Sequence, residues 1–167
     1  MSTNETNATN ATNATNEAKM IDPLDAKARS GVSWFYWIAG LSVVNSIVAA
    51  TGSTWGFMAG LGMTQVIDAI GIAIGPAAKF VALALDLVVA GLFVGLGVWA
   101  TRSTAGYLTG MIIYALDAII FAVAGDWIGL AFHGLVLFFL WSGFQARREM
   151  DRRATTPASE VPLQKAA

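Results

Sequence analysis

No cysteine occurs among the 167 residues, which excludes disulfide frameworks, thiolate catalysis and cysteine-based zinc sites together. Charge is scarce as well: Asp, Glu, Lys and Arg make up 13% of the chain, where soluble domains carry about 25%. The net charge of −1 offers no basic face to neutralise phosphates, so no nucleic-acid partner is expected. His133 is the one histidine, which removes multi-histidine metal and haem sites. The chain has no phosphate-binding glycine loop, no H-E-x-x-H, no G-x-S-x-G and no nucleotide fingerprint, the motifs that would place catalytic groups or a cofactor. Neither an enzyme nor a cofactor is expected.

What remains is apolar. Hydrophobic residues form 56% of the chain, and between Ser33 and Phe144 the charged residues are Asp68, Lys79, Asp86, Arg102, Asp117 and Asp126. Four runs approach or reach the ~20 residues that cross a bilayer: Ser33 to Ala50, Ala77 to Ala100 behind Pro76, Gly106 to Ala124, and Trp127 to Ser142, the last continuing into the basic Gln145 to Arg153 stretch. Proline at a helix's first position suits the start at Pro76. Phe57 to Gly75 is apolar but glycine-rich and contains Gln65 and Asp68. The expected fold is all-α, with four transmembrane helices plus one amphipathic or re-entrant helix on the outer side.

Residues 1–30 read as a disordered tail, 31–144 as the membrane domain, and 145–167 as a basic segment followed by a second disordered tail. The first tail repeats TNE, TNA, TNA, TNA, TNE from Thr3 to Glu17, a composition that buries nothing. It contains N-x-T sequons at Asn4, Asn7, Asn10 and Asn13. No cleavable signal peptide is evident, so the first span is expected to act as its own insertion signal. With four spans, Lys19, Lys27, Arg29, Arg102, Arg147, Arg148, Arg152, Arg153 and Lys165 share one side and Lys79 is left on the other. The positive-inside rule then makes both ends cytoplasmic, which keeps the sequons from glycosylation. A fifth span at Phe57 to Gly75 would split these cations. Trp34, Trp37, Trp99, Tyr107 and Trp141 fall at the cytoplasmic helix ends and Trp55 and Trp127 at the outer ends, as interfacial belts require. Gly91-x-x-x-Gly95 and Gly106-x-x-x-Gly110 predict close helix packing, within the bundle in preference to a dimer seam.

Against this background Asp86, Asp117 and His133 stand out, one in each of three apolar runs. At 1.5 Å per residue, Asp86 and Asp117 each lie ~13 Å, His133 ~9 Å and Asn45 ~10 Å from the outer helix ends. Each span thus brings one polar side chain to a common level, with Ser42 and Ser46 flanking Asn45 and Tyr114 three residues before Asp117. The candidate intramembrane cluster is Asp86, Asp117, His133, Asn45 and Tyr114. Since His133 alone in this layer can carry positive charge near neutral pH, an Asp86–His133 or Asp117–His133 pair is expected. Such groups either fix helix rotation by hydrogen bonds or mark a proton or solute path. Two Asp and one His would also suit a divalent ion, but no local ligand motif supports a metal. Gln65 and Asp68, one helical turn apart, form either the polar edge of an interfacial helix or a re-entrant outer lid; the interfacial arrangement is favoured.

The segments W-F-Y-W-I-A-G-L-S-V-V-N-S at 34–46, Y-A-L-D-A at 114–118 and G-D-W at 125–127 resemble small four-span bacterial membrane proteins that carry no assigned activity. The resemblance implies a bacterial inner (plasma) membrane and transfers no site. The chain is therefore expected to be a multi-pass structural or interaction subunit whose polar layer fixes the bundle. Its partners would be the lipid bilayer and a second copy or another membrane protein. The alternative is a small proton-linked transporter or channel-like protein using Asp86, Asp117 and His133.

Overall fold

The computed structural model describes residues 23–51 and 60–155. The TNA-repeat tail, the segment containing Trp55 and Met58, and the C-terminal tail from Thr156 lie outside the described residues. The elements are α1 (Pro23–Ala50), α2 (Gly62–Ile74), α3 (Pro76–Ala100), α4 (Thr104–Ala124) and α5 (Trp127–Thr155). Four of them, all but α2, are long and apolar enough to cross a membrane.

Local chemistry explains the boundaries. Pro23 opens α1, with Asp25 in its first turn, where proline's missing N–H and a negative charge are both favourable. Residues 23–30, assigned by composition to the tail, are therefore helical. At ~42 Å, α1 exceeds the ~30 Å hydrocarbon thickness, and its polar first turns are the overhang. Gly75, at φ 135°, breaks the chain between α2 and α3, and Pro76 starts the latter. Ser103 caps α4 by accepting from Ala105 N–H at 3.1 Å. Gly125 ends α4 in the left-handed conformation at φ 71°, and Asp126 caps α5 through Gly129 N–H at 2.9 Å, so the Gly-Asp pair closes one helix and opens the next.

The four long helices form a ring in the order α1, α3, α4, α5, each packed on its two neighbours. Pro23, the 101–103 turn and Thr155 lie at one end, as Tyr107 OH donating to Ala28 O at 3.2 Å and Arg147 donating to Thr101 O and Arg102 O at 2.6 and 2.8 Å require. Ala50, Gly75 and Gly125 lie at the other. The core is Phe35, Ile38, Phe93, Tyr107, Tyr114, Val136 and Leu140 with their neighbours. Phe80, Val88, Leu92 and Phe138 point outward, as hydrocarbon-facing side chains do.

The two glycine motifs separate. A Cβ on Gly106 would come within 2.6 Å of Trp99, and one on Gly110 would overlap Phe35, so this motif packs inside the bundle. Gly91 and Gly95 are exposed, with nothing within 4 Å of an added Cβ. That corrects the intramolecular expectation for the first motif: its helix turns Ala82, Asp86, Ala90, Phe93 and Gly97 inward instead. A close backbone approach lies elsewhere, where Gly31 of α1 meets Gly143 of α5 beside the Tyr107 hydroxyl.

The helix α2 is neither a span nor an interfacial helix with its polar edge outward. At ~20 Å it is too short to cross. Its buried face is Gly62, Thr64, Asp68 and Gly71, while Met63, Val66, Ile70 and Ile74 are exposed. The amphipathicity is inverted, polar inward and apolar outward. Its first residues lie against Ser42 and Asp117, eight residues or ~12 Å from the Gly125 end, and it rises antiparallel to α3, with Gly71 against Ala82 and Ala78. This is the re-entrant arrangement, tolerated at depth because protein surrounds its start.

Candidate functional site: two buried polar clusters

The first turn of α2 has no side-chain cap of its own, since Leu61 occupies the position before it. The donors that a helix start leaves unsatisfied are met from other helices. Asp117, on the inward stripe Tyr114–Asp117–Ala118–Phe121 of α4, accepts Gly62 N–H at 2.7 Å on Oδ2 and Met63 N–H at 2.9 Å on Oδ1. Ser42 of α1 accepts Leu61 N–H at 2.8 Å and donates to Ile38 O at 2.9 Å. Thr64 closes the turn by donating to Leu61 O at 2.8 Å. A negative charge here also faces the positive end of the helix dipole.

His133 of α5, fully buried, completes this cluster. Its Nε2 lies 3.1 Å from Asp117 Oδ2 and its Nδ1 2.9 Å from Gly129 O. A carbonyl only accepts, so Nδ1 carries hydrogen. The contact between Nε2 and Oδ2 is a hydrogen bond when either atom carries a proton. The imidazole is stacked on Tyr114 at 4.4 Å and tilted against Phe121 at 4.5 Å. Gly62 permits this fit, since a Cβ there would come within 2.8 Å of Phe121.

The second cluster joins the α2–α3 hairpin to α1. Asp68, Asp86 and Ser46 lie within side-chain interaction range of one another, and all three are buried. Both oxygens of Asp86, Oδ2 of Asp68 and Oγ of Ser46 complete no hydrogen bond.

Of the two pairings the sequence suggests, Asp117–His133 forms. Asp86 interacts instead with Asp68 of α2, which packs against α3. Asn45 is buried on α1 beside Ser46. Tyr114 contributes its ring to His133, and its hydroxyl makes no hydrogen bond. Asp68 belongs to the interior, with Gln65 half-buried one turn away. Ser42 and Ser46, which sequence reasoning treats only as flanking residues, hold places in the first and the second cluster respectively. The 64–68–71 spacing against an apolar 63–66–70–74 face was the available signal. Asp86, Asp117 and His133 do not converge as a ligand set, and among the described residues no group of three His, Cys, Asp or Glu side chains does so.

The fold and these clusters define a multi-pass helical membrane protein. No family model, curated protein or solved structure matches the chain.

Proposed function

We propose that the chain is a structural or interaction subunit of a bacterial plasma membrane, with both ends cytoplasmic and a second copy or another membrane protein as partner. The observation that carries this reading is Asp117, whose carboxylate ties α2, α4 and α5 together while satisfying the start of the re-entrant helix. Satisfied polar groups of this kind fix helix rotation and position. The orientation is supported by the cations: Lys27, Arg29, Arg102, Arg147, Arg148, Arg152 and Arg153 sit at the end holding Pro23 and Thr155, and Lys79 near the opposite end. In liposomes, Asp117→Asn and Asp86→Asn then change stability at most and leave proton uptake unaltered.

The unsatisfied carboxyl of Asp86 favours a second reading, a proton-linked transporter or channel-like protein. Helix-joining groups are expected to be bonded, and Asp86 is not. Under this reading Asp86→Asn abolishes a pH-dependent flux while the protein still folds. A variant with flux equal to wild type refutes it.

A further inference from the structure

Asp68 and Asp86 approach each other from the two arms of the α2–α3 hairpin, and Ser46 reaches both from α1. Asp86 is 1% exposed and Ser46 fully buried. Ser46 Oγ lies within interaction range of both carboxyls, yet it and three of their four oxygens complete no hydrogen bond. Buried polar groups serving only to join helices are bonded to one another, as Asp117 and His133 are. Two adjacent carboxylates in a low-dielectric interior also cannot both be ionised without a counter-charge. No ion pair to either carboxyl forms among the described residues.

The surrounding elements supply no such charge. At this level α1 brings Ser42, Asn45 and Ser46, none titratable near neutral pH. At the same level the ionisable groups of α4 and α5 are Tyr114, Asp117 and His133, and the last two pair with each other. Lys79 is on α3, about two turns from Asp86 toward the Gly75 end.

We propose that Asp68, Asp86 and Ser46 form an intramembrane binding site for one exchangeable monovalent cation, a proton or a sodium ion. An oxygen-only donor set suits a hard cation. One proton held between the carboxyls leaves the pair singly negative, and the exchangeable cation brings it to neutrality. Sodium entering in place of that second proton releases it to the medium, and no covalent bond other than O–H is changed. The site rests on the proton-linked reading only in taking these carboxyls to be exchangeable. Binding without flux refutes transport and leaves the site standing.

The test uses the full-length protein in lipid nanodiscs, with two probes: ²²Na⁺ binding in weakly buffered medium, and pH-difference infrared spectra without sodium. Saturable ²²Na⁺ binding with proton release, weakened at least about tenfold by Asp86→Asn and by Asp68→Asn, assigns sodium. No ²²Na⁺ binding, with a protonated-carboxyl band that responds to pH and is lost in either variant, assigns the proton. Where the Asn variants do not assemble, Ser46→Ala removes one oxygen without changing charge and must weaken sodium binding or move the band. The proposal is overturned by absence of both signals in the wild type, or by signals that all these folded variants leave unchanged.

Discussion

Removing the Asp117 carboxylate strands the Gly62 and Met63 N–H groups and the Nε2 side of His133 together. Each unsatisfied buried group costs about 1–3 kcal/mol. Asp117→Ala is therefore expected to destabilise the bundle by about 3 kcal/mol, measured by reversible unfolding in mixed micelles. Asp117→Asn keeps an oxygen for the α2 donors and can offer its amide to a neutral imidazole, so its loss is expected near about 1 kcal/mol. Equal losses for the two variants would show that the carboxylate does not cap α2. At His133, the Gly129 carbonyl dictates the protonation of Nδ1 whatever happens at Nε2. Nitrogen-15 solid-state NMR should find Nδ1 protonated throughout the pH range in which the protein stays folded; an unprotonated Nδ1 there would contradict the geometry.

Helix packing turns on which glycines have a neighbour. A Cβ at Gly143 would overlap the Tyr107 hydroxyl and come within 2.8 Å of Gly31 Cα. Gly143→Ala must push α1 and α5 apart, at a cost of about 1–3 kcal/mol. Gly91→Ala and Gly95→Ala meet nothing within 4 Å, and each gains up to about 1 kcal/mol in helix propensity. A thermal-stability series on these variants should thus show opposite signs, and a loss at Gly91 matching that at Gly143 would sink the packing argument. One turn beyond Gly143, Arg147 donates to Thr101 O, Arg102 O and Asp151 at once, and Asp151 accepts from Thr104. Arg147→Lys retains charge but not the planar fork. Limited proteolysis should then cut faster at the 101–103 turn, with cleavage elsewhere unchanged.

At the scale of the whole molecule, four long helices and one re-entrant helix leave Pro23 and Thr155 at the same end. The absence of native cysteine makes this directly measurable. Single cysteines at Arg29 and Arg152 should respond identically to an impermeant maleimide in oriented vesicles, and one at Lys79 should respond oppositely. Opposite labelling at Arg29 and Arg152 would require a fifth crossing. The re-entrant helix also governs the polar interior: by entering between α1, α3 and α4 it divides one expected layer into a satisfied cluster around Asp117 and an unsatisfied one around Asp86.

The four long helices and the turns at 101–103 and 125–126 were legible in the sequence. Hydropathy over ~20 residues, Pro76, the Gly125–Asp126 pair and the cation distribution act locally or through the membrane, and need no knowledge of neighbours. Asp117–His133 was one of two pairings the sequence allowed, because depth limits partners without specifying helix rotation. Tertiary structure decided the remainder. Whether Asp68 faces headgroups or another carboxyl depends on which side of a short helix meets protein, and both its faces can be accommodated at a membrane surface. Whether a G-x-x-x-G faces the bundle depends on the helix's rotation, set here by Asp86, Ala90 and Phe93 turning inward. The contact of Ser46 with both carboxyls joins three elements, and only their packing brings those atoms together.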